Sequence, residues 1–489
     1  MKPNASTEWH GRALLTDLYQ LTMSNAYWKS GRAEREAVFH LFFRKAPFQS
    51  GFTIAAGLAT AIEFLQAFRF ADDDLEFLKT LPGNDGKPLF TAVFLDYLRA
   101  LQFSADIDAI PEGTVVFPNE PLLRVKGPIL QCQLLETALL NIVNFQTLIA
   151  TKAARVCLAA RGEPVMEFGL RRAQGVDGAL AASRAAFIGG CAATSNVLAG
   201  KKFGIPVRGT HAHSWVMSFD DEREAFLAYA KAMPNNCVFL VDTYDTLDGV
   251  QHAVETGRWL REQGHEMVGI RLDSGDLTYL SIEARKLLDS AGFQKAVIVA
   301  TNDLDENIIA SLKEQGATIN VWGVGTKLVT AFDQPALGGV YKLGAVRGND
   351  GHWAYKIKVS DQAAKISTPG IQQVRRFYTD KEFIGDAIFD EETGAPESLT
   401  IVDPLDATRR KSMGAQTRFE DLLVPVFRRG ELVYPPPALG AIRQRTQDQL
   451  ASLYPGVKRF VHPHQYPVGL ELGLHQLRTQ LLMQARGED

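Results

Sequence analysis

The chain has 489 residues, 46% of them hydrophobic, and a formal net charge of −4, which is the size of two or three domains with a large core. With 52 basic against 56 acidic residues, it lacks the positive excess that binding to nucleic acid requires. No apolar run reaches the roughly 18 residues of a membrane span. The four cysteines form no C-x-x-C pair, which argues against a zinc ribbon or disulfide framework and favours a reducing cytoplasm. The first residues lack the apolar core of a secretory signal.

The first 125 or so residues mix helices with short strands. An apolar pattern at helical spacing then runs over 133–156. We predict helices over Leu14–Lys29, Leu58–Phe68 and Phe90–Leu101, and strands over Ala37–Phe43 and Thr114–Phe117.

Between Glu163 and Thr330 short apolar runs alternate with amphipathic helices. This rhythm is typical of parallel strands joined by crossover helices, and continuous apolar strands fit either a doubly wound sheet or a barrel. The predicted strands are Val165–Phe168, Pro206–Gly209, Val238–Val241, Met267–Leu272, Ala296–Ala300 and Thr318–Trp322.

After the last of these strands, residues 338–361 alternate around an Asn-Asp-Gly turn and predict a β-hairpin. Beyond Asp390 the sequence becomes irregular and Pro-rich, and it ends in a predicted helix, Gly469–Arg486. We predict an N-terminal α+β domain at 1–128, an α/β barrel at 129–370, and a C-terminal segment at 371–489 that packs on the N-terminal domain.

In parallel α/β folds the ligand site lies at the carboxyl ends of the strands, and here those ends carry most of the reactive side chains. The opposite ends, such as Gly264–Glu266, are poorer in them. The strand-end segments are Phe168–Arg172, Thr210–Ser214, Asp242–Asp245, Arg271–Asp276, Thr301–Asp303 and Gly323–Lys327.

Four of these segments favour an anionic, sugar-like ligand. Gly323, Gly325 and Thr326 offer unhindered backbone N–H groups and a hydroxyl, as a phosphate cradle does, although such glycines also make simple tight turns. Arg171 and Arg172 could fork onto a carboxylate or phosphate, although one of the pair could point to solvent. Arg271 could do the same or form a structural ion pair with Asp273. The aspartates at the rim could hold ribose hydroxyls or Mg²⁺, while one or two could be helix N-caps; they are Asp242, Asp245, Asp273 and Asp276.

His211 and His213 alternate along one extended segment. They could form a metal site or supply one nucleophilic imidazole. A metallohydrolase would also need histidines at other strand ends, and the remaining histidines fall elsewhere.

The motifs E-F-G-L-R-R-A-Q-G (167–175), G-T-H-A-H-S-W-V (209–216), V-D-T-Y-D-T (241–246), R-L-D-S-G-D-L (271–277) and W-G-V-G-T-K-L-V-T (322–330) resemble those of the nicotinate phosphoribosyltransferase family. L-L-T-D-L-Y-Q-L-T-M (14–23), G-G-V-Y-K-L (338–343) and H-P-H-Q-Y-P-V-G-L (462–470) extend the resemblance along the chain.

The resemblance implies an α/β fold of the type II phosphoribosyltransferases. This is an incomplete (βα) barrel packed on a mixed α+β domain, here with an irregular C-terminal tail. It implies a cytoplasmic head-to-tail homodimer with shared active sites and no membrane or nucleic acid partner. The implied reaction joins nicotinate to 5-phosphoribosyl 1-diphosphate, forming nicotinate mononucleotide and diphosphate for NAD biosynthesis. ATP is a co-substrate hydrolysed alongside, which makes the enzyme ligase-class, and Mg²⁺ is the implied metal.

The resemblance also implies a role for each matching residue. His213 is similar to the histidine that ATP phosphorylates, and Arg271 and Asp273 are implied to be catalytic beside it. His211 receives no role. The implied nicotinate contacts are Tyr19, reaching the site from the partner subunit, Phe168, Thr210 and Arg271. The implied phosphoribosyl diphosphate contacts are Arg171, Asp242, Asp245, Asp273, Asn302, Gly323, Gly325 and Thr326, with Asp273 and Asp242 holding Mg²⁺.

Three alternatives stay open. The chain could be a nicotinamide phosphoribosyltransferase, which shares the fold, or a non-catalytic barrel that binds a phosphorylated sugar. A quinolinate phosphoribosyltransferase is disfavoured because that family is shorter and needs more basic residues for two carboxylates. A metallohydrolase would carry stoichiometric zinc.

Overall fold

The computed structural model describes residues 12–487, which form two compact units. The first unit comprises 12–148 and 336–487, and the second comprises 149–335. The predicted barrel domain, 129–370, is wider than the second unit, because residues 129–148 and 336–370 belong to the first. The prediction about a secretory signal concerns residues 1–22, of which 1–11 lie outside the described residues.

None of the helices in the described part of the chain combines the length and the apolar character that crossing a bilayer requires.

The N-terminal part of the first unit contains the helices and strands expected there, with ends shifted by a few residues. Helix α1 is fixed at its start by Gln20, whose side chain accepts from Asp17 N–H at 2.9 Å and donates to Gln133 O at 2.9 Å. The elements are α1 (Leu18–Lys29), β1 (Glu36–Phe43), β2 (Thr53–Ile54), α2 (Leu58–Gln66), α3 (Asp72–Thr80), α4 (Ala92–Ala100), β3 (Asp106–Ala109), β4 (Val115–Val116), β5 (Leu123–Pro128), α5 (Ile129–Leu134) and α6 (Glu136–Ala159), within which the division between the units falls.

The second unit alternates strands and helices as the βα rhythm predicts. Its elements are β6 (Val165–Glu167), α7 (Gly175–Ile188), β7 (Ala193–Thr194), α8 (Val197–Phe203), α9 (His213–Val216), α10 (Glu222–Ala232), β8 (Val238–Leu240), α11 (Thr246–Glu262), β9 (Gly269–Leu272), α12 (Leu277–Ser290), β10 (Val297–Ala300), α13 (Glu306–Glu314), β11 (Val321–Val324) and α14 (Thr326–Val329).

These strands form one open parallel sheet in the order β7-β6-β11-β10-β9-β8, which is the expected incomplete barrel. The strand predicted at Pro206–Gly209 is reduced to a single bridge between Val207 and Thr194. The physical reason is local: Pro206 has no N–H to donate, and the segment is exposed rather than buried. The short strand β7 takes the edge position beside β6 instead.

The C-terminal part of the first unit is more regular than the sequence predicts. The expected hairpin is present as β12 and β13, and further short strands follow it. The elements are β12 (Gly339–Arg347), β13 (Trp353–Tyr355), β14 (Gln372–Tyr378), β15 (Phe383–Asp390), β16 (Leu399–Val402), β17 (Arg410–Met413), β18 (Arg418–Asp421), β19 (Val424–Arg428), β20 (Glu431–Leu432), α15 (Leu439–Ala451), β21 (Val468–Glu471) and α16 (Leu472–Arg486).

Strand pairing explains why the two ends of the chain make one unit. Antiparallel pairs of β1 with β12 and of β3 with β19 complete a seven-stranded sheet, β13-β12-β1-β5-β3-β19-β20. A second sheet, β17-β16-β21-β15-β14-β18, is built from C-terminal strands alone, and β2 pairs with β4. The hairpin that the sequence assigned to the barrel therefore belongs to the first unit.

A buried ion pair lies on the second of these sheets. Arg376 on β14 donates to both carboxylate oxygens of Asp386 on β15, with Nε–Oδ1 at 3.0 Å, and neither side chain is exposed. Tyr466 donates to Asp386 Oδ1 at 2.8 Å. Burial and the neighbouring Asp386 raise the pKa of Glu120 well above its usual range.

Candidate active site

A cleft of about 530 Å³ opens at the carboxyl ends of the second unit's strands, where parallel α/β folds place their ligands. Most of the residues predicted for the site line it together. They are Phe168, Arg171, Thr210, His213, Arg271, Asp273, Asn302, Gly323, Gly325 and Thr326. Three predicted residues are not among its lining: Asp242, Asp245 and Tyr19.

The glycines of the last strand exit make room for an aromatic ring. A Cβ on Gly323 would lie 2.6 Å from Thr301 Cγ2 and 2.8 Å from Phe168 Cδ2, closer than carbon atoms approach. A Cβ on Gly325 would lie 3.1 Å from the carbonyl oxygen of Phe168. The glycines are therefore needed so that the loop can pass close to Phe168, and the backbone of this loop faces the cleft.

The loop that carries Phe168 and Arg171 is held from behind by Glu167 at the end of β6. This carboxylate is 1% exposed and accepts from Gly169 N–H and from the hydroxyls of Ser183 and Thr194. Arg171 itself is exposed at the cleft. The buried carboxylate orients the loop rather than meeting a ligand.

His213 starts the short helix α9, and its ring is held between two side chains. Its Nδ1 lies 3.2 Å from Thr243 Oγ1, and its Nε2 lies 3.7 Å from Asp273 Oδ2. Both His213 and Asp273 keep more than a third of their side-chain surface exposed. The imidazole is thus oriented by polar contacts and open to a ligand in the cleft.

Arg271 on β9 is a partly buried cation with incomplete pairing. Its Nη2 donates to the backbone oxygen of His211 at 2.8 Å, while its buried Nε has no hydrogen-bond partner among the described residues. Burial lowers the pKa of Arg271, and the nearby charge of Arg171 lowers it further, whereas Asp273 and Asp242 oppose the shift. An anionic group in the cleft would complete its pairing.

His211 does not share the cleft chemistry of His213. Its Nε2 accepts from Leu240 N–H at 3.3 Å, and its ring packs 4.9 Å from that of Tyr229. Burial lowers the pKa of His211 to about 4, with smaller contributions from Arg271 and His213. The ring is therefore neutral near pH 7 and anchors the loop between Gly209 and His213.

The rim aspartates separate into structural and cleft-facing groups. Asp242 Oδ2 accepts from Asp273 N–H at 2.9 Å and from Ser274 Oγ at 2.6 Å, while its buried Oδ1 has no partner in the described part of the chain. Asp245 is the N-cap of α11 and accepts from Leu247 and Asp248 N–H at 3.0 Å. Asp273 lines the cleft and accepts from the Thr301 hydroxyl.

Tyr19 lies on α1 in the first unit, and its side chain is exposed. Burial and the carboxylate of Glu136 raise the pKa of Tyr19 to about 12. Glu136 also interacts with Lys342, whose pKa is lowered by burial and by the neighbouring charges of Arg44 and Lys358. Tyr19 thus lies beside two carboxylates, those of Glu136 and Asp17, and Glu136 in turn faces Lys342.

Sequence reasoning missed three residues that hold this site together. Thr243 and Thr301 touch His213 and Asp273, and Glu167 holds the Phe168 loop. All three lie at strand ends beside predicted residues, which is the signal that could have singled them out. Their hydroxyl and carboxylate groups have no distinguishing feature in the sequence until the fold shows what they touch.

The fold and the cleft define a class: α/β-barrel proteins that take a small anionic ligand at the carboxyl ends of parallel strands. Matches to family models show which family within this class the chain resembles. The model described as the nicotinate phosphoribosyltransferase (NAPRTase) N-terminal domain matches residues 14–144, the NAPRTase family model matches 164–383, and the C-terminal domain model matches 371–478. The chain belongs to the nicotinate phosphoribosyltransferase family.

Relatives and solved structures agree with this assignment. The chain is 46% identical to nicotinate phosphoribosyltransferase of Bacillus subtilis, over 94% of this chain and 92% of the relative. It is 37% identical to the Homo sapiens protein of the same name, over 96% of each. The crystal structure of human nicotinic acid phosphoribosyltransferase superposes with a TM-score of 0.82 at 35% identity, covering 95% of this chain and 99% of that one.

Proposed function

We propose that the chain transfers the phosphoribosyl group of 5-phosphoribosyl 1-diphosphate to nicotinate, with ATP hydrolysis coupled through phosphorylation of His213. The products are nicotinate mononucleotide and diphosphate, with ADP and phosphate from the ATP-dependent, ligase-class step. One observation carries the proposal: His213, Asp273 and Arg271 line one cleft, with His213 oriented by Thr243 and Asp273.

Arg271 is suited to the nicotinate carboxylate. Its partly buried guanidinium has an unpaired Nε among the described residues, and a planar guanidinium can pair with both oxygens of a carboxylate. Phe168 and Thr210 line the same cleft, where an aromatic face and a hydroxyl would contact the pyridine ring and its substituent. A neutral amide would gain less from a partly buried cation than a carboxylate does, which favours the acid as substrate.

The 5-phosphate and diphosphate require donors with little steric bulk. Gly323, Gly325 and Thr326 present backbone and hydroxyl groups to the cleft, and Arg171 and Asn302 add side-chain donors. Lys327 is not available for this role, because its ammonium pairs with Asp305 at 2.7 Å. We assign the 5-phosphate to the glycine loop and the diphosphate to the neighbourhood of Arg171.

The transfer is a substitution at ribose C1, in which the pyridine nitrogen attacks as diphosphate leaves with the bonding electron pair. Positive charge develops on the sugar, and the carboxylate of Asp273 can stabilise it. The nucleophile carries its own lone pair, so no protein base is needed. Asp242 lies directly behind Asp273, and Asp245 is already used as an N-cap.

The residues present fit Mg²⁺. Asp242 Oδ1 is a buried carboxylate oxygen without a partner among the described residues, and the other oxygen, Oδ2, accepts from the backbone N–H of Asp273 at 2.9 Å. Mg²⁺ commonly takes one or two carboxylates together with substrate phosphates, so Asp273 and Asp242 would hold it. When bound, the ion would neutralise charge on the leaving diphosphate.

In the ATP step the lone pair of an unprotonated nitrogen of His213 attacks the γ-phosphorus of ATP. The bond from that phosphorus to the bridging oxygen breaks, ADP leaves with the electron pair, and a nitrogen–phosphorus bond forms. Water later displaces the ring nitrogen and releases phosphate. The ring meets the requirement of this step because Thr243 holds its Nδ1, while Nε2, 3.7 Å from Asp273 Oδ2, is open to the cleft.

We further propose a cytoplasmic head-to-tail homodimer in which Tyr19 of the partner subunit completes the cleft. Tyr19 is exposed, and Glu136 beside it faces Lys342, which lies close to Arg44 and Lys358. The four cysteines are free thiols, as in a reducing compartment.

The experiment that tests the substrate compares turnover of nicotinate and nicotinamide at equal concentration, with ADP formed per mononucleotide measured in the same samples. We expect nicotinate to be preferred by at least about tenfold, since a charged hydrogen bond contributes roughly 1.5–3 kcal/mol. Preference for the amide would contradict the assignment, and absence of turnover with either base would favour a non-catalytic barrel.

A further inference from the structure

Thr243 touches the ring of His213 without lining the cleft. It follows β8 and stands one residue after Asp242, which turns to Asp273 N–H and Ser274. Successive side chains of an extended segment point to opposite sides, and Thr243 reaches His213 Nδ1 at 3.2 Å. Since Thr243 is not among the residues around the cleft, its effect on a reaction there would pass through His213.

The orientation of His213 depends on polar contacts rather than on packing. More than a third of its side chain is exposed, so neighbouring atoms do not fix the ring by themselves. Asp273 lies 3.7 Å from Nε2, beyond hydrogen-bond distance, and Thr243 makes the hydrogen bond to Nδ1. Removing the Thr243 hydroxyl would leave the ring free to turn about its χ2 bond.

A hydroxyl suits both states of the ring. A threonine can donate to an unprotonated nitrogen and accept from a protonated one, whereas a carboxylate only accepts. The Thr243 contact at Nδ1 can therefore persist while Nε2 gains and loses the phosphoryl group.

We propose that Thr243 is the positioning residue that orients the His213 ring for phosphoryl transfer from ATP. This inference rests on the proposed function. In the step it serves, a lone pair of the ring attacks the γ-phosphorus, ADP leaves with the electrons of the broken phosphorus–oxygen bond, and the proton on the other nitrogen stays in place. Correct alignment of attacking and leaving atoms is worth up to about 100-fold in rate.

The test compares Thr243→Val, which removes the hydroxyl at nearly constant shape, with Thr243→Ser, which keeps it. Thr246→Val is the matched control, because Thr246 lies in the same segment but outside the cleft and outside the contacts of His213. Each full-length protein is measured for acid-labile phosphate taken from γ-labelled ATP, and for phosphoribosyl transfer without ATP.

We expect Thr243→Val to lower the phosphorylation rate relative to ATP-independent transfer by about 10–100-fold. Thr243→Ser should restore it to within a few fold, and Thr246→Val should match the wild type. An unchanged ratio in Thr243→Val would overturn the proposal. Equal loss of both reactions in the valine and serine variants would also overturn it, since the residue would then support the fold.

A second measurement does not depend on ATP. The ring ¹⁵N signals of His213, assigned by their loss in His213→Ala, should show one defined tautomer in the wild type and Thr243→Ser and an averaged pair in Thr243→Val. Identical ring signals in wild type and Thr243→Val would overturn the inference. If the wild type takes no label from ATP, the ATP coupling of the proposed function fails, and the ring signals alone then decide the role of Thr243.

Discussion

Arg376 in the first unit and the partly buried Arg271 in the second are paired in different ways. Arg376 in the first unit is completely buried, forks onto Asp386 and also donates to Gln449 at 3.0 Å. Arg271 in the second unit donates to a backbone oxygen, and its buried Nε lacks a partner in the described chain. A complete buried pair is costly to break, whereas an incomplete one leaves capacity for a ligand. The first arrangement stabilises the fold and the second is suited to bind a substrate.

Of the substitutions considered, removal of the Asp386 carboxylate should have the largest effect on stability. Asp386→Ala leaves Arg376 buried without its carboxylate, so we expect the free energy of unfolding to fall by about 3–5 kcal/mol. Chemical denaturation measures this. Asp380→Ala is the matched control, because its ion pair with Arg418 is largely exposed and should change stability by less than about 1 kcal/mol. A small loss in Asp386→Ala would mean that the buried pair contributes little.

Arg271→Gln should weaken nicotinate binding and leave stability nearly unchanged, which is the reverse of the effect expected for Asp386→Ala. We expect KM for nicotinate to rise by about 10–100-fold, as a charged hydrogen bond of roughly 1.5–3 kcal/mol is lost, while unfolding changes by no more than about 1 kcal/mol. Steady-state kinetics measure the KM for nicotinate, and chemical denaturation measures the free energy of unfolding. Arg223→Gln, at an exposed pair with Glu255, is the control. A large stability loss with unchanged KM would make Arg271 a structural residue like Arg376.

Because His211 in the second unit is buried and neutral, the free energy of unfolding should depend on pH. Its folded pKa of about 4 lies below the unfolded value near 6.5, so the unfolded chain binds more protons between these values. Its contribution is fully present above about pH 6.5 and is lost as pH falls toward 4, on the order of 2 kcal/mol between pH 7 and 5. Denaturation against pH should show a shallower acid slope in His211→Gln than in the wild type or in His265→Gln, where the side chain is exposed. Equal slopes would contradict a buried neutral ring.

Of the four test substitutions, at Asp386, Arg271, His211 and Gly323, we expect Gly323→Ala to have the smallest effect. The added methyl group meets Thr301 and Phe168, and overpacking of this kind costs about 1–3 kcal/mol. We expect KM for phosphoribosyl diphosphate to rise by about tenfold as the loop shifts, measured at saturating nicotinate. Gly178→Ala, where a Cβ has nothing within 4 Å, is the control and should behave as wild type.

The second unit could be predicted from the sequence to a large extent, because parallel strands with both faces covered appear as short apolar runs, and their exits carry the reactive residues. His213, Arg271 and Asp273 were found that way. The segment at Pro206–Gly209 misled the prediction, since Val207 alone joins the sheet there. Asp245 also looks like a ligand in sequence, and only the structure shows it capping α11.

The first unit was harder to predict, since its sheets are assembled from distant segments. Nothing local in 339–347 indicates that β12 pairs with β1. Strands β17 and β18 are short, polar and largely exposed, so they lack the alternation that marks a strand. The partner of Arg376 could not be chosen from the sequence either, because the choice depends on the register between β14 and β15.

His213 is the residue proposed to accept a phosphoryl group from ATP, and incubation of the wild-type protein with γ-labelled ATP tests this. The acid-labile phosphate is then mapped, and His213→Ala is treated in parallel. We predict label on His213, no label in the variant, and residual transfer that is no longer coupled to ATP. Label at another residue, or coupling unchanged in His213→Ala, would contradict the proposal.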